Sequence, residues 1–519
     1  MDRSFPLQRW EPTAVNLPDG RWAELHVPGL AADLVAATER LRSCPYEPKN
    51  WIVRGMILKD LHLPELAAGD AHKAIMLCRN AQLRSVDQPT WRLGHGKGFY
   101  ICGDEGEEES EGRQRGETQV LEREMQEEDS LGLRLVEQLT EAHKIVAECV
   151  SFDQTAGEGM YYPRAYPWME ERHLGRSDDL IKEINEEFLV ATSKVTEGMI
   201  GSYCRLQRHA FGSVDLPDKS SSEILGVFAT RDIEPDIAIL SDPTRVWGCN
   251  GQGREGDSSN LHRGAGCLDP IHPNRHNQDR ARHDLRWIRD RAGKDAAEII
   301  THCRMLTIAI DDGYTHPLDH PLIARLTATY RRGRPRLFSL NHDIAIPNDC
   351  LQQWGVDIFA NPHFDTWVLF TVHARVRNNC WDGMIHNGVS PLFSLFNHSC
   401  DANVEWSTCL EDYTTIELTT ARHIRKGEQL CVNYDEFALG KPLAERRERL
   451  RHWFDGDCVC RKCVGDEEMM MRRDTRSAGL TGVAHEGEWE AVGDWDDAPK
   501  PLFPEDSYNA RRRDRREQA

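Results

Sequence analysis

Residues 392–403 read LFSLFNHSCDAN and carry the strongest signal in the chain. An apolar run ends in Asn397 and His398, and Cys400 follows two residues later. We expect such a run to be a buried segment whose polar end faces a pocket. An Asn that caps a local turn, next to a core His with satisfied hydrogen bonds, is the ordinary alternative for this pair.

Three further motifs lie before and after this stretch. Residues 224–230 read ILGVFAT, residues 425–435 read RKGEQLCVNYD, and residues 458–463 read CVCRKC. In the first motif, Gly226 lets the backbone approach a ligand closely, while Val227 and Phe228 offer apolar contact. A plain strand start is the alternative interpretation of that motif.

Together the four motifs resemble the SET domain, a family of protein lysine methyltransferases. The resemblance covers about residues 220–463. The long gap between the first two motifs is similar to the split arrangement of the SET-and-MYND subgroup and its fungal relatives. The resemblance implies that the second motif passes under a neighbouring segment as a pseudoknot. It also implies that S-adenosylmethionine is bound by Gly226, Val227, Phe228, Asn397 and His398.

Tyr434 is the predicted catalytic residue. Transfer of a methyl group from a sulfonium to an amine needs a neutral amine, a linear approach and an apolar channel without water. A Tyr hydroxyl and backbone carbonyls orient these groups without competing as nucleophiles. The matching Tyr of the family has this role, whereas a buried strand Tyr is the alternative.

The cysteines of the last motif predict a zinc site. Cys458, Cys460 and Cys463 supply three thiolate ligands, and tetrahedral zinc requires a fourth. Cys400 is the natural fourth ligand, and in the family the matching Cys joins the trailing three. The metal then folds this segment over the active site.

Three residues depart from the family pattern. Leu225 stands where an Arg often precedes the Gly, and Phe454 and Gly456 stand where relatives often place Tyr and Phe. We therefore expect one lost cofactor or substrate contact and a thinner channel wall. We also expect that no MYND finger is present, because the cysteines between the first two motifs lack paired spacing.

The predicted fold class is α+β. A helical, tetratricopeptide-like N-terminal region precedes a β-rich SET fold that has a helical insert and a zinc-binding post-SET segment. The tetratricopeptide register rests on bulky and small residues at fixed offsets, which are Trp51, Gly55, Leu58, Ala67, Ala71 and Ala74. A plain helical hairpin is the alternative.

The predicted parts follow one another along the chain. They are a helical region (28–103), an acidic linker (104–130), a helical connector (131–200), a SET domain (220–440) with an insert at about 245–345, a post-SET zinc segment (441–465) and a disordered tail (466–519). Within them we predict a strand at 367–372 and helices at 296–310 and 321–330.

Charge and hydropathy restrict the partners and the location. The 519 residues carry a formal net charge of −21, which argues against direct nucleic-acid binding and favours basic protein partners. We expect no membrane span, because apolar runs are too short, and the first residues lack a signal-peptide core. We therefore expect a nuclear or cytoplasmic protein, or one found in both. The oligomeric state is not predicted.

The function predicted from these observations is S-adenosylmethionine-dependent methylation of a lysine in a protein, histone or non-histone. The alternative is a catalytically inactive SET-fold adaptor that binds protein partners through its helical region. Leu225, Phe454 and Gly456 favour the adaptor, whereas Asn397, His398 and Tyr434 favour the enzyme. A zinc-stabilised hydrolase is disfavoured because the sequence lacks a nucleophile, base and orienting residue in a recognisable pattern.

Overall fold

The computed structural model describes fourteen stretches of the chain. The chain splits into two compact units, Met1–Val464 and Gly465–Ala519. The stretches are 15–16, 22–23, 28–86, 116–150, 157–193, 195, 201–209, 224–249, 286–328, 335–382, 386–408, 415–451, 453 and 457–480. The architecture is mixed helix and sheet, as predicted.

Helices dominate the N-terminal part of the first unit. They are α1 (Pro28–Ser43), α2 (Pro48–Asp60), α3 (Pro64–Val86), α4 (Gly116–Cys149) and, later, α5 (Asp178–Ser193). Three of these helices, α1, α2 and α3, begin at a Pro, where its missing N–H costs no hydrogen bond. The Glu47 carboxylate also accepts a hydrogen bond from the Lys49 N–H at the start of α2.

Small residues allow α2 and α3 to pack closely. A Cβ at Gly55 would lie 3.4 Å from the Ala67 carbonyl oxygen, and Ala67, Ala71 and Ala74 are fully buried. Trp51 is 3% exposed. This hairpin has the buried positions that the tetratricopeptide register requires, but its membership of that repeat family stays a prediction.

Two helices extend into segments that we predicted to be irregular. Helix α4 begins at Gly116, so the second half of the predicted linker 104–130 is helical. Its Glu, Gln, Leu and Arg residues have high helix propensity, which outweighs their low hydrophobicity. Helix α12 (Arg461–Leu480) likewise continues into the predicted disordered tail. The remainder of that tail lies outside the described residues.

The chain between the first two motifs, called the insert from here on, extends beyond the predicted bounds of about 245–345 and is mainly helical. Its helices are α6 (Arg286–Ala292), α7 (Ala296–Asp311), α8 (Pro321–Ala324), α9 (Ile346–Gln353) and α10 (Thr366–Asn379). The predicted helix 321–330 is therefore only four residues long. Residues 250–285 lie outside the described part, so the expected absence of a MYND finger stays a prediction.

The predicted strand at 367–372 is wrong, because these residues belong to α10. Every residue from Thr366 to Val376 is buried, so the helix has no polar face and shows no helical period in sequence. Branched and aromatic residues then imitate a buried strand. The side chain of Asp365 accepts a hydrogen bond from the Thr366 N–H and begins the helix.

The N-terminal helices and the insert share one apolar core. It joins Trp51 and Leu58 to Met305 of α7 and to Leu369 and Phe370 of α10. A buried ion-pair network reinforces this contact. The Arg54 guanidinium lies 2.6 Å from an Asp70 oxygen and 2.9 Å from an Asp365 oxygen.

Short strands build the rest of the first unit. They are β1 (Val15–Asn16), β2 (Trp22–Ala23), β3 (Glu158–Tyr161), β4 (Cys204–His209), β5 (Ile224–Ala229), β6 (Ala238–Pro243), β7 (Val246–Cys249), β8 (Arg336–Ser339), β9 (Trp381–Asp382), β10 (His386–Val389), β11 (Asn397–His398), β12 (Val404–Thr408), β13 (Thr415–Thr420) and β14 (Cys431–Val432). Three small sheets carry most of the C-terminal half, in the orders β4-β5, β7-β10-β9 and β12-β13-β6. A separate apolar core packs against the β4-β5 and β12-β13-β6 sheets, whereas Val246 of β7 and Val389 of β10 belong to the first core.

The last described elements are α11 (Leu443–Leu450) and α12. Helix α11 precedes the cysteine motif at residues 458–463, and the first turn of α12 contains Cys463. Among the described residues, none of the helices combines the length and the apolarity needed to cross a bilayer.

Candidate active site

Three segments that are distant in sequence lie side by side in the fold: β5, β11 and the segment 427–432, which includes β14. Strand β11 pairs in parallel with β14, with Asn397 opposite Cys431 and His398 opposite Val432. On the other side, the Leu430 N–H donates to the Val227 carbonyl at 2.8 Å. The segment 427–432 therefore lies between the first and second motifs of the sequence and holds them together.

The side chain of Asn397 closes this arrangement. Its amide nitrogen donates to the Leu225 carbonyl oxygen at 3.0 Å. Asn397 thus contacts the first motif directly as well as pairing with β14. The structure brings the predicted cofactor residues Gly226, Asn397 and His398 into one neighbourhood, as the motifs predicted, although their role in binding stays a prediction.

Gly226 packs against the side chain of Gln429. A Cβ at this position would lie 2.4 Å from Nε2 of Gln429, so this flexible side chain would have to shift. Val227 is fully buried in the core beneath the sheets, and Phe228 is 6% exposed. Any contact of Val227 with a ligand would therefore be through its backbone.

Tyr434 lies at the end of the third motif, just after β14. Its hydroxyl donates to the Phe396 carbonyl oxygen at 2.8 Å, and its ring contacts the rings of His398 and Trp453 at centroid distances of 5.3 and 6.0 Å. Burial raises the pKa of Tyr434 above its usual value, so the hydroxyl stays protonated at neutral pH. A phenol oxygen and a carbonyl oxygen thus stand side by side.

The Phe396 carbonyl is a site atom that sequence reasoning missed. Main-chain atoms carry no signature of residue type, and only the contact with Tyr434 reveals this oxygen. The side chain of Asp435 is a second group of the site to which we assigned no role from the sequence. Its carboxylate accepts a hydrogen bond from the Phe437 N–H at 2.9 Å and from Arg449 at 2.8 Å. Asp435 therefore fixes the chain immediately after Tyr434.

His398 contacts both Tyr434 and the cysteine cluster. Its Nδ1 accepts a hydrogen bond from the Tyr434 N–H at 3.1 Å, and its Nε2 lies 3.2 Å from Sγ of Cys400. Burial lowers the pKa of His398 to about 4, so the imidazole is neutral at pH 7.

The four predicted metal ligands converge. The Sγ atoms of Cys400, Cys458, Cys460 and Cys463 all lie within 4.8 Å of one another. The Cys400 and Cys463 sulfurs are 3.6 Å apart. Zn–S bonds of about 2.3 Å in a tetrahedron place sulfurs roughly 3.8 Å apart, so this donor set fits a zinc ion.

The buried side chain of Arg446, on α11, contacts this cluster. Its Nη2 donates to Sγ of Cys463 at 3.5 Å, and its Nη1 donates to the Lys441 carbonyl at 3.0 Å. Arg446 is only 2% exposed. When the four sulfurs bind a metal as thiolates, this buried guanidinium would offset part of their negative charge.

Of the three residues that depart from the family pattern, only Leu225 lies in the described part of the chain. Leu225 is half-buried, and in the β4–β5 ladder it stands directly opposite Arg208. Opposed residues of an antiparallel pair project from the same face of the sheet, so Arg208 neighbours Leu225, although its guanidinium binds Asp178 and the Arg176 carbonyl. Phe454 and Gly456 lie outside the described residues.

Comparison with known families identifies the region that holds this site. The SET domain model matches residues 224–435. Residues 224–435 are a SET domain. The match includes Gly226, Asn397, His398 and Tyr434, and it ends before the trailing cysteine motif.

Curated relatives match this chain over short stretches. A SET and MYND domain-containing protein of Dictyostelium discoideum is 35% identical over 100 residues, which are 19% of each chain. The human protein-lysine N-methyltransferase SMYD4 is 31% identical over 83 residues, 16% of this chain and 10% of the relative. The matches thus span about a fifth or less of the length of these relatives.

Two of the solved structures with some similarity are of LSMT. One is the SET domain of LSMT bound to lysine and AdoHcy, with 15% identity, a TM-score of 0.25 and coverage of 55% of this chain and 58% of the other. Another is Rubisco LSMT bound to AdoMet, with 17% identity, a TM-score of 0.27 and coverage of 54% and 57%.

Proposed function

We propose that this protein transfers a methyl group from S-adenosylmethionine to the side-chain amine of a lysine in a protein, and that its four clustered cysteines hold a structural zinc ion. The observation that carries the proposal is the pairing of the Tyr434 hydroxyl with the Phe396 carbonyl, 2.8 Å apart, where the three segments of the SET domain meet. The relative SMYD4, named a protein-lysine N-methyltransferase, supports the same reaction class.

The chemistry requires few groups from the protein. S-adenosylmethionine, when bound, supplies an electrophilic methyl group on a positively charged sulfur. An N–C bond forms as the C–S bond breaks, the electron pair goes to sulfur, and the product amine releases a proton to water. The protein has to align the amine, exclude water and stabilise partial positive charge on the methyl group.

Tyr434 and Phe396 fit these tasks. A carbonyl oxygen and a phenol oxygen both carry lone pairs that attract a polarised methyl group or an amine N–H. Because burial holds the Tyr434 hydroxyl in its protonated form, the residue neither carries a negative charge nor acts as a competing nucleophile. Its bond to Phe396 and its ring contacts with His398 and Trp453 fix its position before substrate arrives.

Two segments that are distant in sequence contribute the residues that would bind the cofactor. Gly226 and Phe228 lie on β5, and Asn397 and His398 form β11. The Asn397 amide joins the two strands through Leu225, which supports one binding surface assembled from residues distant in sequence.

Zinc would serve as a structural cross-link. Cys400 follows β11, whereas Cys458, Cys460 and Cys463 belong to the trailing segment, so one ion bound by all four would hold that segment against the second motif. In this proposal the metal takes no part in the methyl transfer itself.

The substrate is proposed to be a basic protein segment that presents a lysine. The net charge of −21 favours basic partners and disfavours nucleic acid. We propose a nuclear or cytoplasmic location for the protein, or both. Imaging of the tagged full chain in cells tests the location, and exclusive recovery from another compartment would contradict it.

Label transfer tests the activity. The full chain is incubated with cell-extract proteins and S-adenosylmethionine that carries a labelled methyl group, and the products are mapped by mass spectrometry. We expect label on lysine side chains of a limited set of proteins. A chain that binds zinc and cofactor but transfers no label would favour the inactive adaptor, which the apolar Leu225 already suggests as the second candidate.

A further inference from the structure

A continuous chain of hydrogen bonds links the predicted catalytic Tyr to the cysteine cluster. It runs from the Tyr434 N–H to Nδ1 of His398, over 3.1 Å, and from Nε2 of His398 to Sγ of Cys400, over 3.2 Å. Sγ of Cys400 is in turn 3.6 Å from Sγ of Cys463. One imidazole ring therefore bridges the main chain of Tyr434 and Cys400 of the cysteine cluster.

The direction of this chain follows from its first link. A main-chain N–H can only donate, so Nδ1 of His398 must offer its lone pair and carries no proton. The ring is then neutral, and its single N–H lies at Nε2, where it points at Cys400. A donor in this position matches a thiolate, the form in which Cys binds metal.

A second buried donor supports the thiolate interpretation. Nη2 of Arg446 lies 3.5 Å from Sγ of Cys463, so two of the four sulfurs receive an N–H from side chains outside the cysteine motif. Four thiolates around one zinc ion leave a net charge of −2, and buried donors reduce the cost of that charge. Arg446 is 2% exposed and anchored at the Lys441 carbonyl.

We propose that His398 is a positioning residue that couples zinc binding to the placement of Tyr434. This inference rests on the zinc site of the proposed function. A bound metal fixes Cys400 as a thiolate, the thiolate holds the imidazole through Nε2–H, and Nδ1 then holds the backbone N–H of Tyr434. Thermodynamic linkage requires the reverse as well, so disturbance of His398 weakens zinc binding.

Two conservative substitutions test the roles of the two ring nitrogens of His398 separately. His398→Asn keeps an acceptor near the position of Nδ1 and removes the donor to Cys400. His398→Gln keeps a donor near the position of Nε2 and removes the acceptor for Tyr434. His423→Asn is the matched control, because His423 is an exposed residue in the connection between β13 and β14.

The first readout is zinc affinity, measured in the full chain by competition with a chromophoric chelator. We expect His398→Asn to weaken zinc binding by about 10-fold or more, the scale found for partners of metal ligands. His398→Gln should lose less than His398→Asn, and His423→Asn should match the wild type. An affinity of His398→Asn within twofold of the wild type would overturn the proposal.

The second readout is hydrogen exchange of the peptide that contains the Tyr434 amide. We expect protection in the zinc-loaded wild type, faster exchange after zinc removal, and fast exchange in zinc-loaded His398→Gln. Unchanged exchange after zinc removal would contradict the coupling. Neither readout needs methyl transfer, so a chain without activity could still satisfy both. A wild-type chain that binds no zinc would instead refute the metal part of the proposed function, and the coupling with it.

Discussion

The side-chain amide of Asn397 donates to the main-chain carbonyl of Leu225 at 3.0 Å, across 172 residues of sequence. This single bond ties β11 to β5 beside the segment that carries Tyr434. The long helical insert can therefore be accommodated between the two motifs without separating them. The site depends on such contacts because its strands are short, with only two residues each in β11 and β14.

Removal of the Asn397 side chain should loosen this junction. We expect Asn397→Ala to lower the free energy of unfolding by about 1–2 kcal/mol, because the Leu225 carbonyl loses its partner. Urea unfolding of the full chain measures the effect. Asn378→Ala is the control, since its solvent-exposed bond to the Thr327 carbonyl should contribute less than about 0.5 kcal/mol. Equal losses in the two variants would contradict the role assigned to Asn397.

Loss of one cysteine ligand should remove the metal. We expect Cys400→Ser to reduce zinc from one ion per chain to none and to lower the melting temperature by several degrees, because the trailing segment loses its cross-link. Elemental analysis and thermal unfolding measure the two effects. Cys44→Ser, which changes a half-buried thiol far from the motif in sequence, should retain the ion. Full zinc content in Cys400→Ser would exclude Cys400 as a ligand.

A buried histidine in the insert should make stability depend on pH. Burial alone would lower the pKa of His373, but Asp343, at 2.8 Å, and Glu298, at 3.0 Å, reverse this effect and raise it to about 9. The ring also stacks on His302 of α7, whose pKa burial lowers to about 3. Arg377 shares Glu298 at 2.8 Å.

The sign of this effect follows from the raised pKa. Below the unfolded value near 6.5 the His373 ion pairs contribute fully, and their contribution disappears as pH rises from about 6.5 to about 9. We expect the wild type to lose on the order of 1–3 kcal/mol of stability over this range. His373→Gln should show a flatter profile in urea unfolding at a series of pH values, whereas exposed His423→Gln should follow the wild type. Parallel profiles for wild type and His373→Gln would disprove this assignment.

The sequence motifs predicted which residues form the site, but not which other groups contact these residues. CxCxxC and Cys400 predicted a four-thiol cluster because ligand number and geometry are properties of the metal. The motif RKGEQLCVNYD likewise predicted Tyr434 as the catalytic residue, and the structure places it just after β14 and next to His398. The Phe396 carbonyl and the Arg446 donor could not be predicted, since a backbone atom and a buried Arg become visible only when tertiary packing brings them to the site.

Local patterns failed where burial was complete or where propensity acted alone. Helix α10 has no solvent-exposed polar face over Thr366–Val376, so its sequence shows neither the helical nor the strand period of hydrophobicity. Its branched and aromatic residues therefore led us to predict a strand. Helix α4 extends to Gly116 through a Glu-rich stretch that we interpreted from charge alone. The bond between Asn397 and Leu225 depends on a register set by the whole fold, which no local window contains.

The hydroxyl of Tyr434 is the most direct test of the proposed function. The measurement compares label transfer from S-adenosylmethionine to protein lysines by wild type and Tyr434→Phe. Tyr314→Phe is the control, because Tyr314 lies at the surface of the insert and keeps its ring contact with His320. We expect Tyr434→Phe to retain its zinc and its cofactor affinity and to lose about 10²-fold or more in rate, while Tyr314→Phe keeps the wild-type rate. Equal transfer by wild type and Tyr434→Phe would contradict the central claim.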